Sequence, residues 1–132
     1  MSDNKQVIRK LYDEGFNTGD VEVMKALVSD DFQGSRGEKG PEEFAASIVS
    51  LRKGFPDVRF TIEDVIAEGD RVAVRWRFDA THNGPFAGTP ATGKAVTQTA
   101  NVIYQLRDGR ITRAWQQVDR LGLLQQIGAV AV

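Results

Sequence analysis

One carboxylate, Asp119, sits where two patterns meet. Residues from Ala114 onward predict the end of a strand, and Arg120-Leu121-Gly122-Leu123-Leu124 predicts a short helix. Local grammar makes Asp119 an N-cap, its oxygen accepting from the free amides of the next turn. Its strand neighbours allow a second role. On a regular strand Arg113, Trp115, Gln117 and Asp119 share a face, which sets a carboxylate near an indole and an amide. Desolvation there raises a carboxyl pKa and suits the group to exchange a carbon-bound proton near neutral pH. The two roles are compatible.

Other side chains could assist such chemistry. Tyr12 and Phe16 lie one helical turn apart; both can be core, but a buried phenol needs a partner and can hydrogen-bond an enolate oxygen. His82, in Thr81-His82-Asn83-Gly84, is either a structural hydrogen-bonder or a helper. Gln98, Asn101, Gln105, Gln116 and Gln117 place five amides on two predicted strands. Any that face a pocket would bind ligand oxygens without adding charge.

Composition narrows the alternatives. The 132 residues fit one domain, 1–132, with 41% hydrophobic and 27% charged residues and a formal net charge of −1. Acidic and basic residues are interspersed, with no basic stripe for nucleic acid or an anionic membrane. With no cysteine and one histidine, disulfides, thiolate metal sites and multi-histidine metal sites are excluded. The N-terminus has the polar pattern of a chain without a signal peptide, and no run is long enough for a membrane span, so a cytoplasmic location is expected.

The elements that must position these groups follow from periodicity. Val7, Ile8, Leu11, Tyr12 and Phe16 mark a first helix; Asp20 caps a second, with Met24, Leu27 and Val28 on its inner face. Residues 33–40 are polar and glycine-rich, which predicts a loop. Pro41, Glu42 and Glu43 open a third helix whose face carries Phe44, Ile48 and Leu51. After Pro56 the period becomes two. Four antiparallel strands are predicted, the strongest carrying Val72, Val74, Trp76 and Phe78, with a hairpin turn at Asp108-Gly109. The opposite row, Arg75, Arg77 and Asp79, predicts a solvated or interface face. Three helices, then strands, then a short helix define an α+β fold. A sheet covered on one face by helices curls, and its concave side offers an apolar pocket.

The chain resembles the SnoaL-like polyketide cyclases, small enzymes of the cone-shaped nuclear-transport-factor-like superfamily. The resemblance rests on His82-x-Gly84-x-x-x-Gly88-x-x-Ala91-Thr92-Gly93-Lys94, with the usual proline shifted to Pro90. It also rests on Asp108-Gly109-Arg110-Ile111, Trp115, Asp119 and Gly122-Leu123-Leu124-Gln125-Gln126-Ile127-Gly128, and on Phe16-Asn17-Thr18-Gly19-Asp20. It implies cofactor-free, metal-free intramolecular aldol closure of a polyketide ring. The family's proton-accepting aspartate falls on Asp119, its pocket histidine on Gln105, an aromatic pocket residue on Phe16 and a polar position near Ser47. Gln105 can still hydrogen-bond a carbonyl but cannot shuttle a proton.

The resulting expectation is a curved sheet wrapped by three N-terminal helices and closed by a C-terminal one. Asp119 would exchange the proton. Gln105, helped by Tyr12 or His82, would polarise the carbonyl of a small hydrophobic, polyketide-like ligand, between walls from Phe16, Trp76 and Trp115. A homodimer or higher homo-oligomer through the sheet is expected. Two alternatives accompany it: a polyketide-tailoring hydroxylase of the same fold, which the missing histidine favours, and a non-catalytic ligand-binding or dimerisation module.

Overall fold

The computed structural model of the chain describes residues 3–131. Helix α1, Asn4–Lys10, runs directly into a π-helical turn, Leu11–Phe16, in which the Asn17 N–H reaches back to the Tyr12 carbonyl at 2.9 Å. Helix α2 is Val21–Ala26, β1 is Val28–Gly34 and α3 is Gly40–Gly54. Strands β2 (Arg59–Glu68), β3 (Arg71–Thr81), β4 (Ala95–Arg107) and β5 (Arg110–Val118) follow, and α4, Arg120–Gln126, closes the order.

The five strands form one sheet in the order β1-β5-β4-β3-β2. Its α+β class matches expectation; the strand count does not. Val28 belongs to β1 rather than to the second helix, and Gln33 and Gly34 belong to a strand rather than a loop. This strand pairs parallel to β5, with Val28 beside Ile111 and Gly34 beside Ala114. Only Val28 and Phe32 of Val28–Gly34 are large apolar residues, so its sequence carries no sustained alternation. The strand is made by its partner, through bonds such as Ile111 N–H to the Leu27 carbonyl at 2.8 Å.

The inner face follows the predicted alternation. Val72, Val74, Trp76, Phe78 and Ala80 of β3, and Val96, Ala100, Val102, Tyr104 and Leu106 of β4, are buried. Helix α3 and the first helical segment cover them with Ile8, Leu11, Tyr12, Phe16, Phe44, Ile48 and Leu51. The outer face carries the charged row. Arg75 pairs with Asp64 at 2.7 Å and Glu63 at 3.5 Å, and Arg77 with Asp79 at 3.1 Å.

The loop between β3 and β4 is tied to both ends of its neighbours. The Asn83 and Gly84 N–H groups both donate to the Gly54 carbonyl at the end of α3, each at 3.1 Å. A Cβ at Gly84 would strike the Lys53 carbonyl, which is backbone and cannot rotate aside. Glycine is required there by this close approach, since any side chain must push the loop off α3. Gly84→Ala is therefore expected to destabilise the fold by about 1–3 kcal/mol. Chemical denaturation should show this as a lower midpoint with an unchanged slope.

Candidate functional site

Between α3, the π-helical turn and the inner face of the sheet lies a cavity of about 260 Å³. Aromatic rings dominate its walls. Tyr12 and Phe16 come from the π-helical turn, Phe32 from β1, Phe44 from α3, Phe60 from β2 and Trp76 from β3. They pack edge-on or tilted, with Tyr12–Phe16 centroids at 4.7 Å, Phe60–Trp76 at 4.9 Å and Phe32–Phe44 at 5.2 Å. Such contacts hold the rings in fixed orientations and leave a preformed apolar space.

The polar groups that line it are few. The Tyr12 and Tyr104 hydroxyls are 2.7 Å apart and both residues are buried. One hydroxyl must donate to the other, and the accepting phenol keeps its own hydrogen free for another partner. Burial pushes both phenols to higher pKa; for Tyr12 the neighbouring Tyr104 adds to the shift. At neutral pH they are hydrogen-bond donors and not bases. Gln98 of β4 also lines the cavity; it is buried, and its Oε1 has no partner within the protein. Gln116 of β5 lines it too.

At the cavity margin stand Ser47, Arg36, Glu38 and Arg120. Ser47 donates to the Phe44 carbonyl at 2.7 Å, so its hydroxyl proton is engaged by α3 itself. Among the described residues Glu38 is the only carboxylate in the lining, and it accepts the Arg36 backbone N–H at 3.0 Å. Arg120 lies over the Phe86 ring, 5.1 Å from its centroid.

The expected site residues divide into two groups. Tyr12, Phe16, Ser47 and Trp76 line the cavity. Asp119, Gln105, Trp115 and His82 do not; Gln105 points outward on the regular alternation of β4, between buried Tyr104 and Leu106, and for Trp115 and Asp119 the reason is one residue. Gln105 pairs with Arg113 but Leu106 pairs with Ile111, so Thr112 is an extra residue in β5. Counting by two from buried Ile111 puts Arg113, Trp115, Gln117 and Asp119 inside. The bulge reverses that, and Ala114, Gln116 and Val118 face the cavity instead.

Each displaced residue has a structural task. Asp119 is exposed and accepts the Gly122 N–H at 3.0 Å, which caps α4; a Cβ at Gly122 would collide with that carboxylate. The burial its proposed proton chemistry requires is absent here. Gln105 donates through Nε2 to Asp70 at 2.9 Å across the β2–β3 turn. Trp115 lies on the outer face between Arg71 and Arg113, each 5.0 Å from its ring. His82 is fully buried beside Phe55, its Nδ1 2.9 Å from the Thr92 hydroxyl, and so it anchors the β3–β4 loop.

Sequence reading passed over Tyr104, Glu38 and Arg120. For Tyr104 a signal existed: it continues the inward alternation of Gln98, Ala100 and Val102. For Arg120 none did, because its direction depends on the bulge. Among the described residues no three His, Cys, Asp or Glu side chains gather as a metal site would require. Among the same residues no helix is long and apolar enough to cross a membrane.

An aromatic cavity inside a curved sheet, polar at a few fixed points, defines a small-ligand domain, and comparison with known proteins specifies its kind. Residues 6–127 match the SnoaL-like polyketide cyclase family, and the chain belongs to it. It is similar to the aklanonic acid methyl ester cyclase DauD of Streptomyces sp. (strain C5), at 25% identity over 97% of this chain and 83% of the relative. Among solved structures it resembles a candidate SnoaL-like polyketide cyclase from Jannaschia sp. CCS1, with a TM-score of 0.87 and 28% identity over 96% of this chain and 92% of that one. AclR of Streptomyces galilaeus, described as a candidate hydroxylase, superposes with a TM-score of 0.88 at 25% identity, over 100% of this chain and 85% of AclR.

The two phenols of the cavity are the only tyrosines in the sequence, which makes them separately measurable. With folded pKa values raised, the free energy they contribute is complete below the unfolded value, about pH 10, and is lost as pH rises toward the folded ones. The folded protein should therefore show no tyrosinate absorbance at about pH 10, where a free phenol is half ionised. A group titrating near 10 in the folded state would contradict the buried pair.

Proposed function

We propose that the protein closes a ring in a hydrophobic, oxygen-rich, polyketide-like substrate by cofactor-independent proton transfer. The observation that carries this reading is the aromatic cavity with its Tyr12–Tyr104 hydroxyl pair. An intramolecular aldol closure needs an enolate stabilised and an acceptor carbonyl polarised. The free phenolic hydrogen supplies a neutral donor for such an oxygen in a water-poor space, where a preorganised hydrogen bond is most effective. Gln98 and Gln116 would fix further ligand oxygens. The named activity of the relative DauD, an ester cyclase, supports the same class of chemistry.

The proton acceptor in this reading is Asp119, on the strength of the family resemblance alone. Glu38, the one carboxylate of the lining among the described residues, is its rival on geometry. Asparagine caps a helix about as well as aspartate but takes no proton, so Asp119→Asn separates the two roles. Expected is a loss of turnover of about 10²-fold or more with an unchanged melting temperature. Normal turnover in Asp119→Asn with loss in Glu38→Gln would move the base to Glu38. Normal turnover in both would remove the carboxylate mechanism.

A second reading is a non-catalytic binding module. It is favoured by the exposed, capping position of Asp119 and the outward position of Gln105. It predicts ligand binding without product, and a stability loss of about 0.5–2 kcal/mol for Asp119→Ala but none for Asp119→Asn. The likeness to AclR makes oxygen dependence a further check, because an aldol closure proceeds equally well without oxygen.

We also infer a homodimer through the outer sheet face. Ile66, Ala73, Ile103 and Trp115 sit side by side across four strands, and Ile66 and Ile103 are 66% and 43% exposed. A contiguous apolar row on an open sheet, rimmed by arginines and acids, is the composition of an interface. Ile103→Glu should convert the dimer to a monomer in light scattering while leaving the fold intact. A wild-type monomer would end this inference.

A further inference from the structure

Arg120 is the half-buried cation of the cavity lining, and no carboxylate pairs with it among the described residues. It immediately follows the cap, on the parity that β5 carries inward through Ala114, Gln116 and Val118. Its Nε is buried and has no hydrogen-bond partner. Among the described residues neither Arg120 nor Arg36, the second guanidinium of the lining, forms an ion pair. Burial and the nearby Arg36 both depress the basicity of Arg120, which is the signature of a charge held where it is poorly compensated. Phe86 fixes the guanidinium from one side, in stacking contact.

An unpartnered guanidinium, fixed on a ring at the margin of an apolar cavity, is a receptor for a planar anion. With Glu38 beside the two arginines, the margin carries a formal net charge of +1, which a monoanion neutralises. We propose that Arg120, supported by Arg36, forms a carboxylate subsite, so that the preferred ligand is an aromatic or polyketide-like free acid rather than its neutral ester. The proposal rests on the cavity being the ligand site, and it deepens that reading by naming the ionic state of the ligand. The relative DauD is named for a methyl ester, so the two proteins would differ at this end of the substrate.

The test uses anthraquinone-2-carboxylate and its methyl ester as paired probes, titrated calorimetrically against the full chain at pH 7. The wild type should bind the acid at least about 10-fold more tightly than the ester, the scale of a charge-assisted bidentate contact. Arg120→Met should bring the two ligands within about twofold of each other, and Arg36→Met should reduce the preference by a smaller factor because Arg36 is exposed. The ligand-free Arg120→Met protein should melt no lower than wild type, since an uncompensated charge has been removed. Equal binding of acid and ester by the wild type would overturn the subsite and leave the cavity reading standing. An acid preference that survives Arg120→Met would also overturn it and make the arginine a prop against Phe86. Failure of both probes to bind at millimolar concentration would overturn the cavity reading and the subsite together.

Discussion

Register on β5 is the constraint on which the site depends. Thr112 is inserted between two paired residues, and its hydroxyl donates to the Gln105 carbonyl at 3.1 Å, tying the bulge to the neighbouring strand. A bulge bends the strand and increases its twist, which helps the sheet curl around the cavity. It also exchanges the two faces of every residue that follows. Without it the concave side would receive the charged Arg113 and the bulky Trp115. With it the cavity receives Ala114 and Val118, which are small enough to leave space, and the neutral amide of Gln116.

The same exchange separates positions that adjacency in sequence makes look equivalent. Asp119 and Arg120 are neighbours, yet one serves the outside of the α4 entry and the other the inside margin of the cavity. Asp119 satisfies an orphan amide of the helix, as an N-cap must. Arg120 stacks on Phe86 and leaves Nε unsatisfied. Charge at this end of the cavity is therefore positive, and the acid of the pair is turned away from it. Any chemistry assigned to Asp119 has to include a turn of that side chain from its cap toward the substrate.

Much of the fold was legible because its signals are local. The alternation of Val72, Val74, Trp76 and Phe78 shows a half-buried strand, and the same four residues are buried in the structure. Asp20 caps its helix through the Glu22 and Val23 amides, as its position suggests. Strand β1 was not legible, because a parallel edge strand is specified by the partner that supplies its hydrogen bonds. The cavity was half legible: residues on helices and on the regular strand β3 fall where spacing puts them. The positions after Thr112 do not, since one inserted residue inverts a period of two and leaves no mark in composition.

The deep end of the cavity depends on an equally nonlocal contact. Tyr12 and Tyr104 lie 92 positions apart, and their hydroxyl pair joins the π-helical turn to the middle of the sheet. The π-helical turn is where the first helix widens, with the Asn17 side chain then bracing it against Phe60 through bonds of 2.6 and 3.0 Å. Phe60 is in turn a wall of the cavity, in edge contact with Tyr12 and Trp76. The helical irregularity, the phenol pair and the aromatic wall are thus mechanically one unit. A π-turn is less stable than the α-helix it interrupts, and it persists where surrounding contacts fix it. Here those contacts are the ones that hold the cavity-lining phenols in place, so the irregular turn and the hydroxyl pair stand or fall together.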